Sequence, residues 1–287
     1  MSGPTAIGYT VGNLCNLKCV ICSPSNSSQW ISDYQKLHPT IDITPFQYKK
    51  NDQLEITDPE LLKNIKHVHF HGGGEPLMSK NHLRLLQKIQ EVKGLSDVRV
   101  FYNTNATQLV SDEILQLWEK CKLIELYFSI DDIGARFDYQ RTGADWNKVI
   151  NNMSWFYTNM PHNHMFNVNC VWSYLNFFYL DEMWDWWNKN FSSNRYGDPA
   201  NLIFQKSTIA TGAILDFRLN HLSQSCHDTL EHKFQHHPQL LLLLKSLKIS
   251  DQPHDRFWEN ISALDQIRRT DFKTTHPEWS KLLLQQN

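Results

Sequence analysis

Short apolar runs alternate with stretches of helical period along the first two-thirds of the chain. Six runs read as strands: Ala6–Val11 (AIGYTV), His67–His71 (HVHFH), Val98–Tyr102 (VRVFY), Ile124–Ile130 (IELYFSI), Asn167–Trp172 (NVNCVW) and Leu202–Gln205 (LIFQ). Between them, Lys80–Lys93, Ser111–Cys121, Asp145–Tyr157 and Tyr179–Asn188 carry the 3.6-residue period of helices, with Ser111 and Asp145 as N-cap residue types. Strands alternating with helices predict a parallel sheet, open or closed into part of a barrel. In such folds chemistry gathers beyond the C-terminal ends of the strands, where loops converge. The polar and glycine clusters fall at those ends: Asn13–Cys22, Gly72–Glu75, Asn103–Asn105 and Ser129–Asp132.

The last third changes character. It reads as mostly helical, punctuated by Pro238, Pro253 and Pro277, with Leu240–Leu247 as a buried helix. The expected organisation is a barrel over residues 1–206 and a helical extension over 207–287, packed on it. Seven histidines lie beyond residue 200; without an accompanying carboxylate or cysteine pattern they read as a solvated helix face. Trp184, Trp186 and Trp187 fit a core contact against the barrel better than a substrate wall.

Composition narrows the classes. With 41% hydrophobic and 20% charged residues in 287, a packed core is expected and global disorder is not. The 28 basic and 30 acidic side chains nearly cancel, which argues against broad nucleic-acid binding or an anionic membrane surface. No segment approaches the ~18 apolar residues of a membrane span. The N-terminus lacks a basic stretch followed by an apolar one, so a cytoplasmic setting is expected.

The most informative feature is Cys15-Asn-Leu-Lys-Cys19-Val-Ile-Cys22, three of six cysteines within eight residues. On a loop after a strand, thiolates at this spacing reach three corners of one metal centre. Structural zinc takes four ligands, usually as two separated pairs, and no second pair is present. An iron–sulfur cubane held by three cysteines would leave one iron open to an outside ligand. Buried packing is the plain alternative.

The CxxxCxxC loop resembles that of the radical S-adenosylmethionine (SAM) superfamily. The string CNLKCVICSPSNSSQW is similar to the branch whose members often carry twitch or SPASM extensions. The likeness continues in order through HGGGEPLMS, YNTNA, FSIDDIGARFDYQRTGADW and NVNCVWSYLNFFYLDEMWDWW, over about two-thirds of the chain. It implies an α/β fold, a partial (β/α)6 barrel, with one 4Fe-4S cluster and SAM as cofactors. Reductive cleavage of SAM would give methionine and a 5′-deoxyadenosyl radical. An external flavodoxin- or ferredoxin-like protein would supply the electron.

Carried over by motif, the resemblance makes Cys15, Cys19 and Cys22 the cluster ligands. Ile21 would pack near adenine, where many members have an aromatic. Gly73, Gly74, Glu75 and Pro76 match the motif that holds the SAM amino group. Ser129 and Asp131 match the strand end that binds the ribose and methionine moieties, and Arg141 the arginine near the SAM carboxylate. Asn103 and Asn105 would face SAM or substrate; Asn169, Ser173 and Asn176 would lie near adenine and ribose. Taken alone, the GGGEP run is an ordinary strand–helix turn, Ser129–Asp132 a helix cap and Arg141 an ion pair.

The chain departs from the twitch and SPASM pattern. Only Cys121, Cys170 and Cys226 remain, far apart and without CxxC spacing, so no auxiliary cluster is expected. Cys226, in the extension, would be the candidate hydrogen-atom donor to a substrate radical. The substrate class is a ribosomally made peptide, with a small nucleotide or sugar as the alternative. A non-catalytic iron–sulfur or zinc protein is a third reading, disfavoured by the SAM-facing set Glu75, Ser129, Asp131 and Arg141.

Overall fold

The computed structural model describes residues 3–47, 58–191, 201–207, 215–250 and 255–285; Pro253 and His254 lie outside them. Six parallel strands form one sheet in sequence order: β1 (Ala6–Tyr9), β2 (His67–Phe70), β3 (Arg99–Thr104), β4 (Leu123–Ser129), β5 (His164–Trp172) and β6 (Asn201–Lys206). Each sequence-expected strand is present. Helices α1 (Ile31–Leu37), α2 (Asn81–Val92), α3 (Asp112–Glu119), α4 (Gly134–Gln140), α5 (Trp146–Asn159) and α6 (Leu180–Phe191) connect them. This is the parallel sheet that the alternation predicts, and it agrees with the partial barrel that the resemblance implies.

Strand alternation separates the two faces. In β4, Ile124, Leu126 and Phe128 are buried, while Glu125, Tyr127 and Ser129 are only partly so. Phe128 packs 5.4 Å from Phe156 of α5, so the apolar face is the one under the helices. On β2 and β3 the same face stacks Phe70 on Tyr102 at 4.7 Å, with Trp118 of α3 donating to the Tyr102 hydroxyl at 3.3 Å. Burying such a ring contributes about 1.5–3 kcal/mol. Asp145 caps α5 by accepting from the Lys148 N–H at 3.1 Å. Ser111 occupies the N-cap of α3 without a side-chain cap bond; Asp112 and Glu113 in the first turn complement the helix dipole instead.

Beyond β6 lie α7 (Gln224–Lys233), α8 (Pro238–Lys245), α9 (Asp255–Arg268), α10 (Phe272–Thr275) and α11 (Pro277–Leu284). A short parallel ladder joins β7 (His221–Leu222) to β8 (Lys248–Ile249). One attachment to the barrel runs through α4. The Tyr139 hydroxyl donates to Asp265 at 2.9 Å, and its ring lies 5.3 Å from that of His276.

Three expectations need correction here. The Leu240–Leu247 helix is buried on one face only: Leu240 and Leu244 are inside, but Leu242 is 68% exposed, because i, i+4 positions alone face the core. His276 does not sit on a solvated face. It is fully buried, stacked on Phe272 at 4.3 Å. Carboxylates do accompany one histidine: ligand atoms of His227, Asp228 and Glu231 on α7 lie within 4.8 Å of one another, largely exposed. The tryptophans form the expected core wall. Trp187 is buried, Trp186 packs 5.2 Å from Trp146, and Trp184 stacks on Phe204 of β6. Among the described residues no helix is long and apolar enough to cross a membrane.

Candidate active site

The cysteine loop follows β1 and closes on itself through Cys22 N–H donating to the Cys19 carbonyl at 3.0 Å. Two further backbone bonds fasten it to the end of α4: Lys18 N–H to Thr142 O at 2.9 Å and Val20 N–H to Gln140 O at 2.7 Å. Ser27 donates its hydroxyl to the Leu17 carbonyl, and the Trp30 indole N–H donates to the Cys19 carbonyl at 2.7 Å. The loop is therefore held by the segment around Arg141 on one side and by the start of α1 on the other.

The glycine turn after β2 packs against this loop. Gly74 N–H donates to Asn26 O at 2.8 Å and Glu75 N–H to Leu14 O at 2.7 Å. Gly74 has φ 79°, and a Cβ there would meet Val11 Cγ2 at 2.5 Å and the Gly12 and Leu14 carbonyl oxygens at 2.9 Å. Gly73 approaches as closely, its missing Cβ position lying 2.7 Å from Gly12 O. The glycines thus bring two backbones together. Pro76 opens the following short 3-10 turn and is buried.

Glu75 is buried and accepts three hydrogen bonds: from Thr104 Oγ1 at 2.8 Å, Asn105 N–H at 2.7 Å and Leu77 N–H at 3.0 Å. Burial pushes its carboxyl above the usual range, against the pull of those donors. Its side chain thereby ties the end of β3 to the glycine turn. Asn105 also reaches Asn16 Oδ1 at 3.1 Å and lies 3.8 Å from the Cys15 sulfur. Asn103 lies on the helix-free face, in register with Tyr127.

Beneath Cys19 sits a buried ion pair. Arg141 Nη2 is 2.7 Å from Asp131 Oδ2, and Nη1 is 3.9 Å from the Cys19 sulfur. The other Asp131 oxygen accepts from Val171 N–H at 2.9 Å. Arg141 Nε is buried without a hydrogen-bond partner among the described residues. The Asp131 carbonyl takes Asn176 Nδ2 at 2.6 Å, and Asn176 Oδ1 accepts from Ser173 N–H at 2.9 Å. Ser173 and Asn176 are fully buried and close the turn after β5. Ser129 and Asn169 are register partners at the ends of β4 and β5, and Asn169 donates to Gln205 at 3.1 Å. Ile21 is partly buried against the core.

The structure thus gathers the cysteine loop, Gly73–Pro76, Asn105, Asp131 and Arg141. It places Cys226 elsewhere: fully buried in α7, its sulfur 3.8 Å from the Leu282 carbonyl of α11. Sequence reasoning missed Trp30, Asp33, Thr104, Arg268 and Thr107, whose hydroxyl accepts from Asn16 Nδ2 at 2.9 Å. Trp30 lies in the quoted string, and its apolar ring before a helix was the one available signal.

The comparisons bear on this site. A family model described as Radical SAM superfamily matches residues 9–170, more than half of the chain. The chain belongs to the radical SAM superfamily. Its cofactors are a 4Fe-4S cluster and SAM. Among solved structures, a histidine-tagged form of anSMEcpe with bound AdoMet is 16% identical, covering 86% of this chain and 62% of its own, with a TM-score of 0.51. SuiB of Streptococcus suis is also 16% identical, over 88% of this chain and 50% of its own, with a TM-score of 0.47. The chain therefore spans between half and two-thirds of those two structures, and the likeness to anSMEcpe is one of fold. No curated protein matches the sequence.

The residues of this radical SAM chain fit the cluster. Burial pushes the Cys15 thiol up to about 11 and Cys22 to about 12, with the neighbouring Cys19 adding to both; Cys19 is raised as well. Three desolvated thiols, two of them raised further by Cys19, are poor thiolates by themselves. A shared cationic centre removes the conflict, since a coordinating thiol is deprotonated outright. Arg141, with Nη1 3.9 Å from the Cys19 sulfur and Nε without a hydrogen-bond partner among the described residues, suits an anionic group there.

Proposed function

We propose that this protein is a radical SAM enzyme acting on a peptide. Three thiols held against the glycine turn and Arg141, at the C-terminal ends of parallel strands, carry the reading. Bound there, the cluster and SAM would supply radical chemistry for taking a hydrogen atom from the substrate. Cys15, Cys19 and Cys22 hold the cluster. The backbone of Gly73 and Gly74 with Glu75 receives the SAM amino group, Arg141 its carboxylate, and Ser129, Asp131, Asn169, Ser173 and Asn176 frame its remaining parts.

The helix-free face of the sheet supports the peptide. His69 stacks on Phe101 at 5.4 Å, and Phe101 packs tilted against Tyr127 at 4.5 Å. Beside these rings lie the amides of Asn103, Asn167, Asn169, Asn201 and Gln205, with Glu125 as the carboxylate of the strip. Amides both donate and accept, as peptide groups do. A nucleotide phosphate calls for cationic partners, and Glu125 opposes one. The other three cysteines sit at separate carbonyls: Cys121 at Leu117, Cys170 at Asp131 and Cys226 at Leu282. That supports a single cluster, with electrons from an external flavodoxin- or ferredoxin-like donor in a reducing, cytoplasmic setting.

Anaerobic reconstitution tests the cluster: about four irons per chain are expected, lost in the triple variant Cys15→Ala/Cys19→Ala/Cys22→Ala. Iron retained by that variant overturns the ligand assignment, and about eight irons in the wild type overturns the single cluster. Turnover with deuterated peptides tests the substrate class. Deuterium should reach 5′-deoxyadenosine from a peptide; transfer only from a nucleotide or sugar rejects the peptide reading.

A further inference from the structure

Asp33, in α1, has a fully buried carboxylate between two cations from opposite ends of the chain. One oxygen is 3.0 Å from Lys18 Nζ, within the cysteine loop. The other is 2.8 Å from Nε of Arg268, the last residue of α9. The Arg268 side chain is 2% exposed. Its Nη1 donates to Thr142 Oγ1 at 3.1 Å, on the residue whose carbonyl holds Lys18 N–H. Its guanidinium lies 4.7 Å over the Trp30 ring, and that indole donates to the Cys19 carbonyl. Nη2 is buried without a hydrogen-bond partner among the described residues.

The end of α9 is built to hold this arginine. Arg269 leaves the helix at φ 58°, a left-handed conformation that a side-chain-bearing residue adopts only at a cost. Asp265 closes the turn, accepting from Thr270 Oγ1 at 2.6 Å and from Phe272 N–H at 2.9 Å. The Trp30 ring, the Asp33 carboxylate and the Thr142 hydroxyl, which border the Cys19 segment, thus all meet Arg268.

We propose that Arg268 is a positioning residue for the cluster: it fixes the Cys19 segment through Asp33, Trp30 and Thr142, and leaves a net positive charge that raises the cluster's reduction potential. The proposal rests on Cys15, Cys19 and Cys22 being the ligands. Lys18, Asp33 and Arg268 sum to one positive charge. Reduction adds one negative charge to the cluster, so a fixed neighbouring cation favours it. Out of water such charges act strongly, and net charge and solvent exposure are the means by which proteins set these potentials.

The test is an EPR-monitored redox titration of reconstituted full-length protein, with iron counted in each sample. Arg268→Gln and Lys18→Gln should each move the oxidised-to-reduced equilibrium about tenfold toward oxidised, a potential about 59 mV lower for one electron. Asp33→Asn removes the negative member and should move it the other way, while Arg268→Lys should stay near wild type. Opposite signs for two breaks in one tether mark charge, because a merely structural support shifts both variants alike. An unshifted potential in iron-replete Arg268→Gln, or the same sign in Asp33→Asn, overturns the proposal. Should Arg268→Gln fail to fold, Lys18→Gln, on a side chain 28% exposed, and Asp33→Asn decide it by the same signs. Wild-type protein without iron or signal refutes the cluster assignment instead.

Discussion

Arg141 and Asp131 form a 2.7 Å ion pair in which 9% and 2% of the two side chains are exposed. Each is the other's compensation for leaving water. Arg141→Ala strands a buried carboxylate and should cost about 3–5 kcal/mol of stability, more than a surface pair would. Urea unfolding of Arg141→Ala, Asp131→Ala and the double variant checks this. The double variant should be clearly less destabilised than the sum of the singles. Strict additivity would show that the pair carries no coupling.

Gly74→Ala should separate the glycine turn from the cysteine loop. The left-handed backbone alone costs about 1–2 kcal/mol, and the clashes with Val11, Gly12 and Leu14 add to it. Gly94 is the matched control: φ is 82°, yet nothing lies within 4 Å of its Cβ position. Iron uptake on reconstitution should fall in Gly74→Ala and hold in Gly94→Ala. Equal uptake in the two would deny the close approach any role.

His276 gives the fold an acid sensitivity of known sign. Burial, helped by Arg136, holds its imidazole down to about 3 from the ordinary 6.5. Below about 6.5 the unfolded chain takes up a proton that the folded one refuses, so stability falls as pH drops toward the folded value, by up to ~1.4 kcal/mol per unit. Asp132, pushed up to about 7 by burial, works in the opposite sense. The prediction therefore concerns a difference: the stability gap between His276→Phe and wild type should move in favour of the variant from pH 7 to pH 5. A constant gap in urea titrations at the two pH values rules it out.

Cys226→Ala distinguishes packing from chemistry. The thiol is fully buried at the contact of α7 and α11, so removing it should cost about 1 kcal/mol. Once the substrate is identified, turnover in deuterated water should match wild type. Lost turnover with continued 5′-deoxyadenosine formation would make Cys226 the hydrogen donor after all.

The first four strands were legible because each of their apolar runs stops at a polar or glycine cluster, and the fold brings residues of those clusters together. Glu75 was legible as a position, but two of its three donors were not, since Thr104 and Asn105 lie at the end of the neighbouring strand. The burial of His276 was illegible for the same reason: sequence shows a histidine before a proline, while Phe272, Tyr139 and Tyr179 come together around it only in the fold. Asp33 and Arg268 carry no mutual signal along a chain in which 235 positions separate them.

That separation has a consequence for biosynthesis. A ribosome adds about 5–20 residues per second, so the codon for Arg268 is read on the order of 10–50 s after that for Asp33. Through that interval the cysteine loop exists without its last fastening, its thiols open to any metal or oxidant at hand. A translation stalled short of α9 would release a barrel whose cysteine loop lacks the Arg268 tether and keeps only its fastenings to α1, the glycine turn and the end of α4.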